Sequence, residues 1–243
     1  MTLVNRTANL PPIWVANLER SIKRSQFMQR QLEAMGLAYN MISAVDGKTL
    51  TASDLQKYSA ARALTAKGRE LSPGEIGCAL THANMYQRMI EAALDEVLIL
   101  EDDVVITQNL LEVLYRRKAF PADWEIINFA NTYARPIRLG EPLFERHHLC
   151  KFQGIANRTS AYLINLRGAK KLLAHVYPIR LPADDLIGRT HIAALNLYGI
   201  APPVVRLKEF ASDIWDYHEQ WQELRHANIF ARWLSRRFSV RSK

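Results

Sequence analysis

The chain has 243 residues, which suits one large α/β domain or two small ones, and 49% of them are apolar, which excludes a disordered chain. No apolar run approaches the roughly 18–20 residues that span a bilayer, the polar stretch Met1 to Asn9 offers no signal-peptide core, and Cys78 and Cys150 alone argue against a disulfide framework and for a reducing compartment. Of the net charge of +8, six units fall on Arg225, Arg232, Arg236, Arg237, Arg241 and Lys243, with no acid after Glu223, so the excess belongs to a tail and not to a nucleic-acid groove.

Pro12 to Leu18 reads as a first strand, followed by polar Glu19, Arg20 and Ser21. Between Ser21 and Met35, the residues Ile22, Phe27, Met28, Leu32 and Met35 recur at roughly helical spacing, and Gly36 supplies a stop. Tyr39 to Val45 reads as a second strand and Asp46-Gly47 as a turn, a β-α-β opening typical of sheets with crossover helices. Arg20 and Arg24 follow the first strand's carboxyl end, where a phosphate could sit, although a solvated basic helix face would look the same.

Residues 48–70 are small, polar and charged, and read as a helix and loop over the sheet. Next, Ser72 is a good N-cap, Pro73 suits the first helical position and Glu75 completes a capping box, opening a helix that runs to about Leu94. Glu75, Cys78 and His82 share one face of it. Cys78 and His82 are zinc-ligand types, but no second pair with zinc spacing accompanies them, so a structural or substrate-facing histidine is the favoured reading. Gly74 and Gly77 are costly in an early helical turn, which implies close approach of another backbone or a ligand.

Val97-Leu98-Ile99-Leu100 then runs straight into Glu101-Asp102-Asp103. The apolar run reads as a strand buried on both faces. Three adjacent acids cannot share that burial, so they belong past the strand's carboxyl end, in the crevice where open α/β sheets bind ligands. A hard divalent cation is the natural partner of clustered carboxylates, and a solvated acidic turn is the bland alternative.

A helix from Asn109 to Arg117 and a strand from Trp124 to Phe129 follow. Residues 130–150, with Pro136, Gly140 and Pro142, read as a long loop, a candidate lid or acceptor-binding segment. Cys150 to Ile155 gives a short strand, Thr159 to Asn165 a better one, and Leu166 to His175 a helix. Asp184 and Asp185 form a second acidic site, opening a helix that ends near Tyr198-Gly199; Asp184 could cap that helix or serve as a base. Val204 to Leu207 is a last short strand, and Ser212 to His218 could close over a site, with His218 as a further metal or phosphate contact. Finally Ile229, Phe230, Trp233, Leu234 and Phe238 share one side of a helix among arginines, the pattern of a helix lying on an anionic membrane; a docked C-terminal helix is the alternative. The division is therefore a domain over 1–223 and a basic, aromatic tail over 224–243.

These segments together resemble glycosyltransferase family 25, which includes bacterial lipooligosaccharide and lipopolysaccharide galactosyltransferases and collagen galactosyltransferases. The matching pieces are Ile13 to Arg20, Ala44 to Gly47, Leu71 to His82, Leu98 to Asp103, Thr159 to Asn165 with Gly168 to Leu172, Pro182 to Asp184, and Ser212 to Ile214. The resemblance implies a single GT-A, Rossmann-like α/β domain with a mixed, mostly parallel central sheet flanked by helices. It implies transfer of galactose from UDP-galactose with inversion, to an oligosaccharide or glycolipid acceptor, with Mn²⁺ or Mg²⁺. It places the metal on Asp103 and Glu101, the base on Asp184 with Asp185 in reserve, and the donor near Asn17, Arg20, Asp46, Glu75, His82 and Asp102. The expected setting is the bacterial cytoplasm, on the cytoplasmic face of the inner membrane. Transfer of another sugar such as glucose, a non-catalytic sugar-nucleotide-binding role, and metal-dependent phosphoryl transfer are the competing readings, the last weakened by the absence of a Walker-type loop.

Overall fold

A computed structural model describes residues 10–131 and 134–210, so the readings of Met1–Asn9, of Ser212–His218 and of the 224–243 tail lie outside the described residues. Strand β1 (Ile13–Asn17) is buried along its whole length. Helix α1 (Ile22–Ala34) crosses over to β2 (Asn40–Ser43), which pairs parallel with β1. A single 3-10 turn (Gly47–Thr49) and two short helices, α2 (Ala52–Gln56) and α3 (Ala60–Lys67), fill the segment before the long helix α4 (Pro73–Glu91). That helix opens on the expected capping box, with Ser72 accepting from the Glu75 amide and Glu75 accepting from the Ser72 amide.

Strand β3 (Glu96–Glu101) lies on the other side of β1, also parallel. The chain therefore leaves β1 first to one side and later to the other, and the strand order reverses at β1. As the sequence suggested, the strand stops at the acids: Glu101 is its last residue, Asp102 and Asp103 form a turn, and Val104–Ile106 (β4) pairs antiparallel with Val205–Leu207 (β10) in a separate ribbon. Helix α5 (Gln108–Tyr115) and strand β5 (Ile126–Asn128) come close to their expected spans. Strands β6 (Arg135–Arg138) and β7 (His148–Gln153) then form a hairpin at the sheet's far edge. The supposed 130–150 loop hides β6 because all four of its residues are exposed and carry no apolar alternation.

Strand β8 (Ala161–Asn165) runs antiparallel between β3 and β5, and helices α6 (Leu166–Val176) and α7 (Ala183–Gly188) follow. The helix begun at Asp184 does not reach Tyr198-Gly199. It stops at Gly188, and Leu197–Ala201 is strand β9, paired with β5 and β7. Gly199 is there for packing: a side chain at that position would run into the ring of Phe152. The eight-stranded order is β2-β1-β3-β8-β5-β9-β7-β6. Only β7 and β8 oppose the common direction, so the sheet is mixed and mostly one-way, as expected.

The central strands β1, β3, β8, β5 and β9 are buried on both faces, and alternate residues divide the core. Trp14, Ile99, Tyr162 and Ile164 meet Leu80, Tyr86 and Met89 of α4 and Leu172 of α6. Ile13, Val15, Leu98 and Leu100 meet Met28 and Leu32 of α1 and the apolar side of α5. No helix among the described residues is long and apolar enough to cross a membrane.

The close approach that Gly74 and Gly77 implied is present. A Cβ on Gly77 would lie 2.5 Å from the Val45 carbonyl oxygen, and one on Gly47 would lie 2.6 Å from the Gly74 nitrogen. The turn after β2 is thus seated directly on the first turns of α4, and the Val45 amide donates to Thr81 Oγ1 at 2.9 Å. Gly77→Ala is expected to destabilise the protein by about 1–3 kcal/mol, because backbone must move to make room. Urea unfolding monitored by circular dichroism measures this; a loss below about 0.5 kcal/mol would mean the turn yields easily.

Candidate active site

The carboxyl ends of β1, β2 and β3 and the amino-terminal half of α4 enclose a cavity of about 340 Å³. Its lining includes Arg20, Arg24, Asp46, Lys48, Cys78, Thr81, His82, Glu101, Asp102, Asp103 and Phe210. This is the crevice beside the strand-order reversal where open α/β sheets bind ligands.

The three acids at the strand end have different surroundings. Glu101 is the last residue of β3, and its amide donates to the Ser160 carbonyl. Its carboxylate accepts from Thr159 Oγ1 at 2.5 Å and Ser160 Oγ at 3.3 Å, and lies 3.5 Å from His82 Nε2. Burial pushes its pKa up, but His82 and the two hydroxyls outweigh that and hold it below the ordinary carboxylate value. Behind it runs a buried chain: His82 Nδ1 is 2.7 Å from the Tyr162 hydroxyl, which is 2.9 Å from the Tyr86 hydroxyl. With Nε2–H toward Glu101, Nδ1 accepts from Tyr162 and Tyr162 accepts from Tyr86, so every donor in the chain is used.

Asp102 is nearly buried and accepts from Asn17 Nδ2 at 2.7 Å and Arg24 at 2.9 Å. Burial leaves its pKa somewhat raised despite Arg24 and Asn17. Asp103 is compensated less: among the described residues Oδ1 is buried without a hydrogen-bond partner, and only its own backbone amide and the charge of Arg24 act to lower its pKa. Burial first, then the charges of Glu101 and Asp102, push its pKa up to about 7. An unsatisfied buried carboxylate oxygen facing like charges fits a hard cation's needs. Of the two residues expected to ligate metal, Asp103 has an oxygen without a partner among the described residues, whereas the Glu101 carboxylate faces away from it, toward Thr159, Ser160 and His82.

The expected donor residues fall into two groups. Arg20 and Asp46 meet at the cavity wall, Arg20 Nε donating to Asp46 Oδ2 at 2.5 Å. Burial raises the Asp46 pKa, but the Arg20 and Lys48 hydrogen bonds prevail and lower it overall. His82 also lines the cavity, whereas Asn17 reaches it only through Asp102. Glu75 is held at the helix start by Ser72 and by a two-pronged pair with Arg69 at 2.6 and 2.8 Å, and does not line the cavity.

Asp184 and Asp185 open α7 and differ sharply. Asp185 is buried and committed: Lys67 Nζ donates to it at 2.5 Å, Asn157 Nδ2 at 3.2 Å and Arg189 at 3.4 Å. It joins α3, the 155–158 segment and α7. Asp184 is half-buried, and its carboxylate accepts from the Asp185 amide at 2.8 Å. Burial, then Asp185 and Glu101, raise its pKa. It lies near enough for its charge, like those of Glu101 and Glu75, to bear on the Cys78 thiol. Sequence reasoning missed Thr159, Tyr162, Tyr86, Lys67 and Lys48 as parts of this arrangement. Thr159 and Tyr162 looked like ordinary strand residues, and only the β3–β8 pairing brings them beside the acids.

Comparison with known proteins gives one consistent answer. The sequence model described as "Glycosyltransferase family 25 (LPS biosynthesis protein)" matches residues 10–187. The chain is 30% identical over 185 residues to procollagen galactosyltransferase 1 of Danio rerio, covering 72% of this chain and 30% of that one. It is 33% identical over 188 residues to a glycosyltransferase 25 family member of Drosophila melanogaster, covering 74% and 29%. It is also 28% identical over 185 residues to "Probable inactive glycosyltransferase 25 family member 3" of Bos taurus, covering 72% and 31%. The chain thus spans under a third of the length of these relatives.

The raised Asp103 pKa has a consequence for stability without added cations. Its folded value lies above its unfolded one, so the folded state binds more protons between about pH 4 and pH 7. Its contribution is full below the unfolded pKa and is lost as pH rises through the folded one. Asp103→Asn is expected to flatten the decline in stability between about pH 4 and pH 7, measured by urea unfolding in chelator. An identical decline in the variant would place the titration elsewhere.

Proposed function

The chain belongs to glycosyltransferase family 25, and from that premise we propose that it is an inverting transferase moving galactose from UDP-galactose to a sugar hydroxyl of a lipooligosaccharide or lipopolysaccharide acceptor. The observation that carries the reading is Asp103. A buried carboxylate oxygen that has no partner among the described residues stands in a cavity that Arg20, Arg24 and Lys48 also line, and the combination suits a cation-bound diphosphate.

In this reading Asp103 would hold Mn²⁺ or Mg²⁺, and the ion would supply neutralisation of charge developing on the leaving diphosphate. Arg20, Arg24 and Lys48 orient the phosphates. Asn17 keeps Asp102 and, through it, Arg24 in place. Glu101, fixed by Thr159 and Ser160, contributes its negative charge beside Asp103. Asp184 takes the proton of the acceptor hydroxyl as that oxygen bonds to the anomeric carbon. The anomeric carbon–oxygen bond to UDP breaks on the opposite face, and UDP leaves with the electron pair. A raised pKa makes Asp184 the better base of the two aspartates, since Asp185 is occupied by Lys67, Asn157 and Arg189. The aromatic and basic residues of 224–243 would hold the enzyme against the anionic cytoplasmic face of a bacterial inner membrane, near a glycolipid acceptor.

A second reading is favoured by the similarity to the Bos taurus protein named as inactive: donor binding without turnover. Incubation with a panel of UDP-sugars and Mn²⁺, with and without sugar acceptors, separates the two. Galactose transfer is expected; calorimetric binding of UDP-galactose with no transfer would favour the second reading.

Asp103→Ala is expected to remove cation-dependent transfer while the circular dichroism spectrum stays unchanged. Full activity in the variant, or activity indifferent to a chelator, would remove the cation from this site. Asp184→Asn is expected to lower kcat about 100-fold or more with little change in donor affinity; the reverse pattern would move the base elsewhere. Deletion of residues 226–243 is expected to weaken sedimentation with anionic vesicles while transfer to a soluble acceptor survives. Unfolding on deletion would instead favour a helix docked on the domain.

A further inference from the structure

On the α4 side of the same cavity, a second group of donors converges. Cys78 Sγ, a ring nitrogen of His82 and a carboxylate oxygen of Glu101 all lie within 4.8 Å of one another. Cys78 and His82 are one helical turn apart on α4, and Glu101 ends the strand packed beneath that helix. The His82 Nε2–Glu101 Oε1 separation is 3.5 Å, close to the spacing of two ligands on one tetrahedral ion at bonds of about 2.0–2.2 Å.

We propose that Cys78, His82 and Glu101 form a binding site for a soft, tetrahedral divalent cation of the zinc type, distinct from the hard-cation position at Asp103. The donor set decides the metal class. Thiolate and imidazole select zinc-like ions, while Mg²⁺ and Mn²⁺ prefer oxygen. Three protein ligands leave a fourth position open, and all three residues line the cavity, so that position faces it. The outer shell is already in place: Tyr162 sits 2.7 Å from His82 Nδ1, ready to accept Nδ1–H once Nε2 takes the ion, and Tyr86 accepts in turn from Tyr162. Binding exchanges the Cys78 thiol proton for the metal, and the proton leaves to solvent. The resulting thiolate and the Glu101 carboxylate balance the ion's two positive charges.

The test uses the metal alone and does not depend on the transferase reading. The full chain, stripped by chelator, is titrated with Co²⁺ in the absence of donor sugar. A thiolate-to-cobalt charge-transfer band and tetrahedral d–d bands are expected, bleached by one equivalent of Zn²⁺ and unaffected by excess Mg²⁺ or Mn²⁺. Cys78→Ser is expected to remove the charge-transfer band and His82→Gln to weaken Zn²⁺ binding at least ~10-fold. Cys150→Ser, altering the only other cysteine, is expected to retain both. Should Cys78→Ser fail to fold, zinc X-ray absorption on the unaltered chain decides the matter: one sulfur with nitrogen and oxygen neighbours supports the site. A sulfur-free shell, a six-coordinate cobalt spectrum without charge transfer, signal loss in Cys150→Ser, or undiminished zinc affinity in folded Cys78→Ser would overturn it.

Discussion

Three consecutive carboxylates cannot leave water together at the end of a buried strand unless each is compensated separately. Glu101 is answered from the neighbouring strand β8 and its approach, by Thr159 and Ser160, and from α4 by His82. Asp102 is answered by Asn17 at the end of β1 and by Arg24 on α1. Each compensation comes from a different element, so the placement of β1, β8, α1 and α4 around β3 is coupled to this one problem. Asp103 receives the least, only its own amide and the charge of Arg24, and the fold concentrates its electrostatic imbalance in a single carboxylate beside an open cavity. The imbalance is tolerable because protonation relieves it at a modest cost near neutrality.

The second acidic pair follows the same division of labour. Asp185 spends its charge on Lys67, Asn157 and Arg189, and so fastens three segments together. Asp184, next in the chain, keeps only one hydrogen bond from a neighbouring amide among those described. In both acidic stretches a structural carboxylate stands beside a chemically available one. The structural member makes the available member's position precise, and its charge raises the available member's proton affinity.

Much of the architecture was legible in the sequence because it rests on local signals. The Ser72-Pro73-x-Glu75 cap, the all-apolar run of β3 and the β-α-β opening each announce themselves within a few residues. The chain failed to announce what depends on distant pairing. β6 carries no apolar alternation because it is an exposed edge, and β9 resembles a continuation of α7 until Gly199 is seen beneath Phe152. Strand β4, directly after the acids, exists only through its pairing with β10, about a hundred residues later. The site divides similarly. The acids and His82 stood out by type, but the partners that decide which acid is spent, Thr159, Asn157 and Lys67, are common residues with no local mark. Their roles exist only once the sheet order is known.

The contact between the Asp46-Gly47 turn and the start of α4 has a consequence for how the cavity can vary. There, main chain meets main chain, with Val45 and Gly47 against Pro73, Gly74 and Gly77. Glycine is already the smallest residue, so no substitution can widen that wall, and any side chain added there forces it apart. A cavity bounded this way has fixed dimensions on one side and adjustable chemistry on the other. Its selectivity is therefore open to change through Arg20, Lys48 and Phe210, which line the space away from that backbone contact.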